Sequence, residues 1–386
     1  MKVAIVHDYL TQYGGAERVL DEIKALYPQA PVLVSLYDPH AMPPAYRDWD
    51  VRASWLNKLP LAHRKHQALL PLYPHVFENL DLSEYDLVIS SSSGFAHGVL
   101  TGPQTTHVCY CHSPPRFLWD FHRYVERERL GRLARTLVGA RLSQLRQWDR
   151  TSADRADAWI STSRVVRDRI RKYYGKDSTI IAPPVNTRRF DVGDGSGGYY
   201  LMLMRLVGWK RPDIVVEACS KLGVELVVAG DGRELGHLRE LAGPSVRFVG
   251  RVNDQQMRGL YRDCRALILP SEEDFGITPL EAMASGRPVI AYGRGGALDT
   301  IRPGVTGLFF DEQSVDAVLA ALVSFEACHF NPLAIRAHAE QFDTVMFRHR
   351  MIRFIDAQVD ARLAGQGFEE PYLGTVGLPA LSTAAA

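Results

Sequence analysis

Short runs of consecutive apolar, mostly β-branched residues alternate along the chain with stretches of helical pattern. In the first half these runs are "KVAIV", "PVLVSLY", "DLVISSS", "THVCYC" and "AWISTS"; in the second they are "YYLMLMRL", "VELVVAG", "VRFVG", "ALILP" and "PVIAY". A strand with one wet face alternates apolar and polar residues, so continuous runs predict strands buried on both faces. Helical stretches between them predict parallel sheets with helices on each side. Between the two sets lies "APPVNTRRFDVGDGSGGYY", whose proline pair, charges and Gly/Ser cluster predict a linker over residues 183–198. The expected fold class is therefore α/β, with two doubly wound Rossmann-like domains in tandem. Ligands bind such folds outside the carboxyl ends of the strands, and an inter-domain cleft is the expected place for a site.

The totals agree. A chain of 386 residues is natural for two domains, and 46% hydrophobic with 23% charged residues is the balance of a soluble globular protein. A net charge of +1 provides no overall field for nucleic acid, so none is expected as a partner. Five cysteines without a repeated spacing do not make a disulfide framework and suit a reducing compartment. Cys109 and Cys111 alternate beside His112, but a structural zinc site needs four ligands, and two small side chains in a buried strand explain them. The first apolar run is cut by His7 and Asp8, too short for a signal peptide. No stretch approaches the ~20 apolar residues of a membrane span. A cytoplasmic protein is expected.

Two segments stand apart. From Arg123 to Arg150 the chain is helical in pattern and rich in arginine, with Arg127, Arg129, Arg132, Arg135, Arg141 and Arg146 and few acids. This is either a solvated helix face or a contact for anionic lipid or a phosphorylated acceptor. The final "GTVGLPALSTAAA" lacks charge and periodicity, and a loose tail is expected over residues 366–386.

Candidate chemistry falls at strand-to-helix junctions. After the first strand, Gly14 and Gly15 open an amphipathic helix, serving equally a tight turn or a backbone cradle for an anion. Gly230-Asp231-Gly232 lacks the third glycine of a dinucleotide fingerprint, which weighs against a nicotinamide enzyme. Arg205 and Lys210 in "MRLVGWKRPD" follow the first strand of the second half; they are surface cations or the neutralising charges for a leaving diphosphate. His112 ends the strand "THVCYC" and enters an irregular proline loop. Asp48-x-Asp50 has the form of a metal motif but lies in a polar stretch away from the others, and no metal is expected.

In "SEEDFGITPLEAMASG" the strand "ALILP" leads through a loop into a helix. Thr278 is a good N-cap, Pro279 suits the first helical position, and Glu281 three residues after the threonine completes a capping box. Glu281 is thus explained by local structure, while Glu273, in the loop, is not. The amides after Gly276 form a second anion-binding helix start.

Together "GGAERV", His112 in "CHSP", Arg205 and Lys210 in "RLVGWK", and "EDFGITPLEAMASGRPVIA" resemble the retaining family 4 glycosyltransferases of GT-B fold. The last segment carries that family's Glu-seven-residues-Glu motif, Glu273 to Glu281. The resemblance covers nearly the whole chain except the tail. It implies an N-terminal acceptor-side domain over residues 1–185 and a C-terminal nucleotide-sugar domain over 186–341. A final helix within 342–365, over Phe342 to Ala361, would cross back to the first domain. It also implies retaining transfer of a sugar from a nucleotide-sugar, the donor substrate, with no cofactor. By the resemblance Arg205 and Lys210 hold the diphosphate, and Gly14, Gly15 and the backbone of Gly276, Ile277 and Thr278 bind phosphate or sugar. Glu273 contacts the donor sugar's hydroxyls, Glu281 the ribose, His112 the sugar near the reacting carbon, and Val252 the base.

The motifs look most like bacterial mannosyltransferases of polysaccharide assembly. That suggests GDP-mannose as donor, a glycan or lipid-linked glycan as acceptor, and peripheral placement on the inner face of the plasma membrane through Arg123–Arg150. A retaining glycoside hydrolase would use the two glutamates but leave Arg205 and Lys210 idle. A nucleotide-sugar epimerase of the same architecture, and an inactive nucleotide-sugar-binding protein, remain as alternatives.

Overall fold

The computed structural model describes residues 1–60, 62, 66–120, 132–194 and 196–365. They form two compact units, one of Met1–Pro184, Val207–Arg211 and residues 358–365, the other of Val185–Leu206 and Pro212–Ala357.

The first unit holds β1 (Val3–His7), β2 (Val32–Val34), β3 (Val51–Ala53), β4 (Leu87–Ser92), β5 (Thr106–Cys111), β6 (Ala158–Ser161) and β7 (Thr179–Ile180). They make one parallel sheet in the order β3-β2-β1-β4-β5-β6-β7. Every residue of β2, β4, β5 and β6 is buried, as continuous apolar runs require. Cys109 and Cys111 pack in β5 against Trp159, Val166, Ile170 and Tyr174, and all five cysteines are free thiols. The strand order reverses between β1 and β4, where doubly wound sheets bind ligands.

The second unit holds β8 (Tyr200–Leu203), β9 (Leu226–Ala229), β10 (Val246–Gly250), β11 (Ala266–Leu269), β12 (Val289–Tyr292) and β13 (Gly307–Phe310), parallel in the order β10-β9-β8-β11-β12-β13. Its order reverses between β8 and β11. The ladder there is short: Tyr200 faces Ala266 and Leu201 faces Leu267, whereas β8 pairs with β9 as far as Leu203. The β8–β11 ladder therefore ends before the carboxyl ends of the two strands. Both units are doubly wound Rossmann-like domains.

Several local expectations change. β3, β7 and β13 lie outside the predicted runs; β3 is an edge strand centred on exposed Arg52, without an apolar run to betray it. β10 was expected to be buried, but it too is an edge strand and only partly covered. The expected linker is docked on the second unit. Val185 N–H donates to Phe342 O (2.9 Å), the Thr187 hydroxyl to Asp343 (2.6 Å) and Gly197 N–H to Asp263 O (2.9 Å), while Phe190 packs edge-on against Tyr261. Its Gly/Pro composition reports an irregular path rather than a loose one.

The last helix runs Thr344–Leu363, and near its end Arg362 pairs with Asp157 (2.9 Å) within the first unit. The arginine-rich stretch is helical over Arg132–Ser152, where the Arg146 Nε–H donates to Leu118 O (2.8 Å). Arg123, Arg127 and Arg129, like the expected tail, lie outside the described residues. Among the described residues no helix is long and apolar enough to cross a membrane.

Close backbone contacts set the loops at the strand ends of the second unit. A Cβ on Gly232 would lie 2.1 Å from Leu206 O, and one on Gly296 would lie 2.3 Å from Phe275 Cα. The loop after β9 therefore lies directly on the loop after β8, bonded by Leu206 N–H to Asp231 O (3.0 Å). The loop after β12 lies likewise on the loop after β11, with Gly296 N–H donating to Glu273 O (2.9 Å). Gly232→Ala and Gly296→Ala should each destabilise by about 1–3 kcal/mol or more, since overpacking against backbone cannot relax by a rotamer change. Helical Gly236, whose Cβ would meet nothing within 4 Å, is the control: Gly236→Ala should stabilise by about 0.5–1 kcal/mol. Urea unfolding of the three variants checks this, and equal effects would remove the close-approach argument.

A buried carboxylate sits in the first core. Asp149 Oδ2 accepts from Trp119 Nε1 (2.6 Å) and the Tyr174 hydroxyl (2.9 Å), and Oδ1 lies 3.5 Å from His97 Nε2. Burial dominates the two hydrogen bonds and pushes the Asp149 carboxyl up from 3.8 to about 7, while burial holds His97 down at about 4. A folded value raised above the unfolded one gives stability that is complete below 3.8 and lost as pH rises through about 7. Asp149→Asn keeps an acceptor for Trp119 and Tyr174 without the charge. Its Tm relative to the unsubstituted protein should therefore rise between pH 5 and pH 8, and a Tm difference independent of pH would contradict this.

Candidate functional site

In the first domain the reversal of strand order brings four polar side chains to one face. His7, the last residue of β1, is the direct partner of Ser91 in β4, and His112 lies just past β5, two residues beyond Ser91's neighbour Tyr110. In adjacent parallel strands these positions share a face. The Ser91 hydroxyl lies 2.8 Å from His112 Nε2 and 3.0 Å from His7 Nδ1. His7 Nε2 is in turn 3.5 Å from Glu17 Oε1, and Glu17 Oε2 accepts the Gly14 N–H at 2.7 Å. His7, Ser91 and Glu17 are buried. Burial, with the neighbouring His7 as a smaller cause, pushes the His112 imidazole down to about 3, so it is neutral at physiological pH.

The glycine turn is thus partly spoken for. Helix Gly15–Leu26 begins after an extended Gly14 whose amide is taken by Glu17, the backward half of a capping box. On the opposite side of β1, Asp8 accepts the N–H groups of Ser93 (2.6 Å), Phe95 (2.7 Å) and Ala96 (2.8 Å), fixing the turn after β4. His7 and Asp8 appear in the sequence only as interruptions of an apolar run. Glu17 had a signal, its capping-box spacing from Gly14.

In the second domain Arg205 follows β8 and Glu273 follows β11, the two strands at the order switch. The Arg205 side chain is exposed; Glu273 is partly exposed, and its Oε1 accepts the Ser271 hydroxyl at 2.7 Å. Lys210 lies in Val207–Arg211, the segment that groups with the first unit, and ends a 3₁₀ turn, Gly208–Lys210, with its ammonium 5.2 Å from the Trp209 ring centre. Arg211 follows at φ 54, the only non-glycine with positive φ among the described residues, a strained backbone that sets the course into helix Pro212–Leu222. Val252 follows β10 and is partly buried.

The capping box expected at Thr278 is absent. Gly276, at φ 87, turns the chain in a conformation L-residues resist, so helix Ile277–Ala284 begins before Thr278 with Gly276 as N-cap. Thr278 and Pro279 fall inside the first turn. Glu281 is carried beyond the capping position into the interior, 4% exposed, where it accepts the Tyr261 hydroxyl at 2.9 Å. The two glutamates therefore occupy different environments, unlike the pair of a retaining hydrolase, which must flank one bond ~5–5.5 Å apart. Asp50 of the Asp-x-Asp segment is engaged by Arg52 at 2.7 Å, and no cluster of three His, Cys, Asp or Glu that could hold a metal occurs among the described residues.

Two family models match adjoining parts of the chain, "Glycosyltransferase Family 4" over residues 13–189 and "Glycosyl transferases group 1" over residues 188–341. The GDP-mannose-dependent alpha-(1-6)-phosphatidylinositol monomannoside mannosyltransferase of Mycobacterium tuberculosis is 28% identical over 231 residues, 52% of this chain and 60% of that one. A GDP-mannose-dependent alpha-mannosyltransferase of Corynebacterium glutamicum is 28% identical over 178 residues, 43% of each. The chain spans at most 60% of the length of these curated relatives. In fold it is similar to Anabaena HepE in complex with UDP, with a TM-score of 0.69 at 18% identity, covering 92% of this chain and 100% of that one. With both domains matched in chain order and the motifs at the strand ends where doubly wound sheets bind ligands, this chain belongs to the family 4 glycosyltransferases.

Proposed function

We propose that the protein is a retaining hexosyltransferase that moves mannose from GDP-mannose to an acceptor hydroxyl, a glycan or a lipid-linked glycan, without a metal ion. The observation that carries this is the switch in strand order between β8 and β11, where a cation, Arg205, follows one strand and a carboxylate, Glu273, follows the other. Transfer replaces the bond from the sugar's anomeric carbon to phosphate by a bond to the acceptor oxygen, and GDP leaves. Negative charge then grows on the diphosphate and positive charge on the sugar. Arg205, Lys210 and the amides of Gly276, Ile277 and Thr278 stabilise the first, because preorganised donors reorganise little as charge develops. Glu273 holds sugar hydroxyls, Glu281 the ribose, the Val252 backbone the base, Gly15 a phosphate or sugar oxygen, and His112 the sugar near the reacting carbon. Gly14 acts through Glu17, since its own amide is engaged there. The mannosyltransferase relatives favour GDP-mannose, whereas the HepE structure holds UDP, so donor identity is the first thing to test.

A ligand that binds only the native state raises Tm by mass action. GDP-mannose should raise it more than UDP-glucose, and a shift with the UDP-sugar alone would overturn the donor assignment. With the productive donor, Glu273→Gln should lower kcat at least tenfold with little change in KM, while Glu281→Gln should mainly raise KM. The amide introduced by Glu281→Gln retains an oxygen for Tyr261, so only a small loss of stability is expected. Equal collapse of kcat in both variants, with donor affinity intact, would restore a paired-carboxylate mechanism.

The arginines of Arg123–Arg150 suit a peripheral contact with the anionic inner face of the plasma membrane, where each added cation contributes about 1 kcal/mol. Reversing Arg132, Arg135 and Arg141 to glutamate should abolish sedimentation with phosphatidylglycerol vesicles. Unchanged sedimentation would remove the membrane role.

A further inference from the structure

The chain of contacts from Gly14 to His112 has a direction, and that direction assigns the proton on His112. Glu17 lies at the amino end of a helix, where its Oε2 accepts a backbone N–H at 2.7 Å. An ionised carboxylate only accepts, so the atom facing it, His7 Nε2, carries a hydrogen. At 3.5 Å this contact is longer than the ~2.7–2.9 Å of a charge-assisted N–H···O bond. A neutral His7 with hydrogen on Nε2 has a bare Nδ1. The Ser91 hydroxyl, 3.0 Å away, donates there, and its oxygen is left to accept from His112 Nε2 at 2.8 Å. His112 then bears its hydrogen on Nε2 and keeps Nδ1 as an acceptor.

We propose that Glu17, His7 and Ser91 are positioning residues that hold His112 in its Nε2–H tautomer, leaving Nδ1 to accept a hydrogen bond from a hydroxyl of the donor sugar. The tautomer half of this stands on the first domain alone. The sugar half rests on the transferase reading above.

The sharpest variant is Glu17→Gln. The Gly14 N–H needs an acceptor, so the amide oxygen stays there and the amide NH₂ turns to His7. His7 must then accept at Nε2, carry its hydrogen on Nδ1 and donate to Ser91. Ser91 donates to His112 Nε2, and the His112 hydrogen moves to Nδ1. The relay reverses although every heavy atom keeps its place.

Long-range ¹H–¹⁵N correlation on histidine-labelled protein distinguishes the two tautomers, with His112 assigned by loss of its signals in His112→Gln. The expected result is Nε2–H in the unsubstituted protein and Nδ1–H in Glu17→Gln. Ser91→Ala should break the relay, so that adding Glu17→Gln to it no longer moves the His112 signals, whereas Ser91→Thr should keep the coupling. In steady-state transfer Glu17→Gln should lower kcat about ten- to a hundredfold, the size of one misplaced hydrogen bond at a charged centre, with donor KM changed less than about threefold. An Nδ1–H tautomer in the unsubstituted protein overturns the proposal even if no variant folds. So does a His112 signal that ignores Glu17→Gln while Ser91 is present. A tautomer that moves as expected without any change in kcat overturns the positioning role. The expected tautomer change in a protein that turns over no nucleotide-sugar would instead overturn the transferase reading.

Discussion

The second domain depends on two places where a glycine lets one loop lie directly on the backbone of its neighbour. At Gly232 and Gly296 the position a Cβ would take is already filled by main-chain atoms of Leu206 and Phe275. Side-chain packing can be relieved by a rotamer change, but main chain against main chain cannot. The loops after β8 and β11 are thereby fixed from outside by the loops after β9 and β12. The β8–β11 ladder is short, and each of these loops is bonded to the loop on its outer side. Arg205 and Glu273 are carried on these two loops, one after each of the strands at the order switch.

The first domain reaches the same end by other means. Its β1–β4 ladder is complete to His7 and Ser91. Polar side chains are instead carried into a buried layer and bonded in series, where each unmatched donor or acceptor would cost the full desolvation penalty. Series bonding makes the hydrogen positions interdependent, so a carboxylate at a helix start decides which nitrogen of a distant imidazole bears a hydrogen. One domain holds its site by backbone contact, the other by hydrogen-bond polarity.

The fold was legible because burial on both faces leaves an unmistakable run of apolar residues. Where that condition fails the pattern fails with it: β3 is a three-residue edge strand around Arg52, and β10, also an edge, looked more buried than it is. Gly/Pro-rich 183–198 looked like a linker because composition reports backbone freedom, whereas its docking depends on Phe342, Asp343 and Asp263, all distant in sequence. Arg205, Lys210, Glu273 and His112 were visible as polar residues at strand ends. His7, Ser91 and Tyr261 were not, since their meaning lies in register and cross-chain contact, which no local window contains.

The two glutamates show how small the deciding feature can be. Thr278, Pro279 and Glu281 have the spacing of a capping box, and a helix starting at Pro279 would have used them so. Gly276 overrides this. With Gly276 at positive φ as N-cap the helix starts earlier, so Glu281 lies past the capping positions, in a stretch from Pro279 to Ala284 that is buried throughout. There its carboxylate needs a donor, and Tyr261 from helix Asp254–Asp263 supplies one. Glu273, on the loop before the turn, is spared that burial and stays partly open beside Ser271. The two similar carboxylates thus end as a buried, hydrogen-bonded anchor and a partly exposed loop residue, a division that capping propensity at Thr278 did not predict.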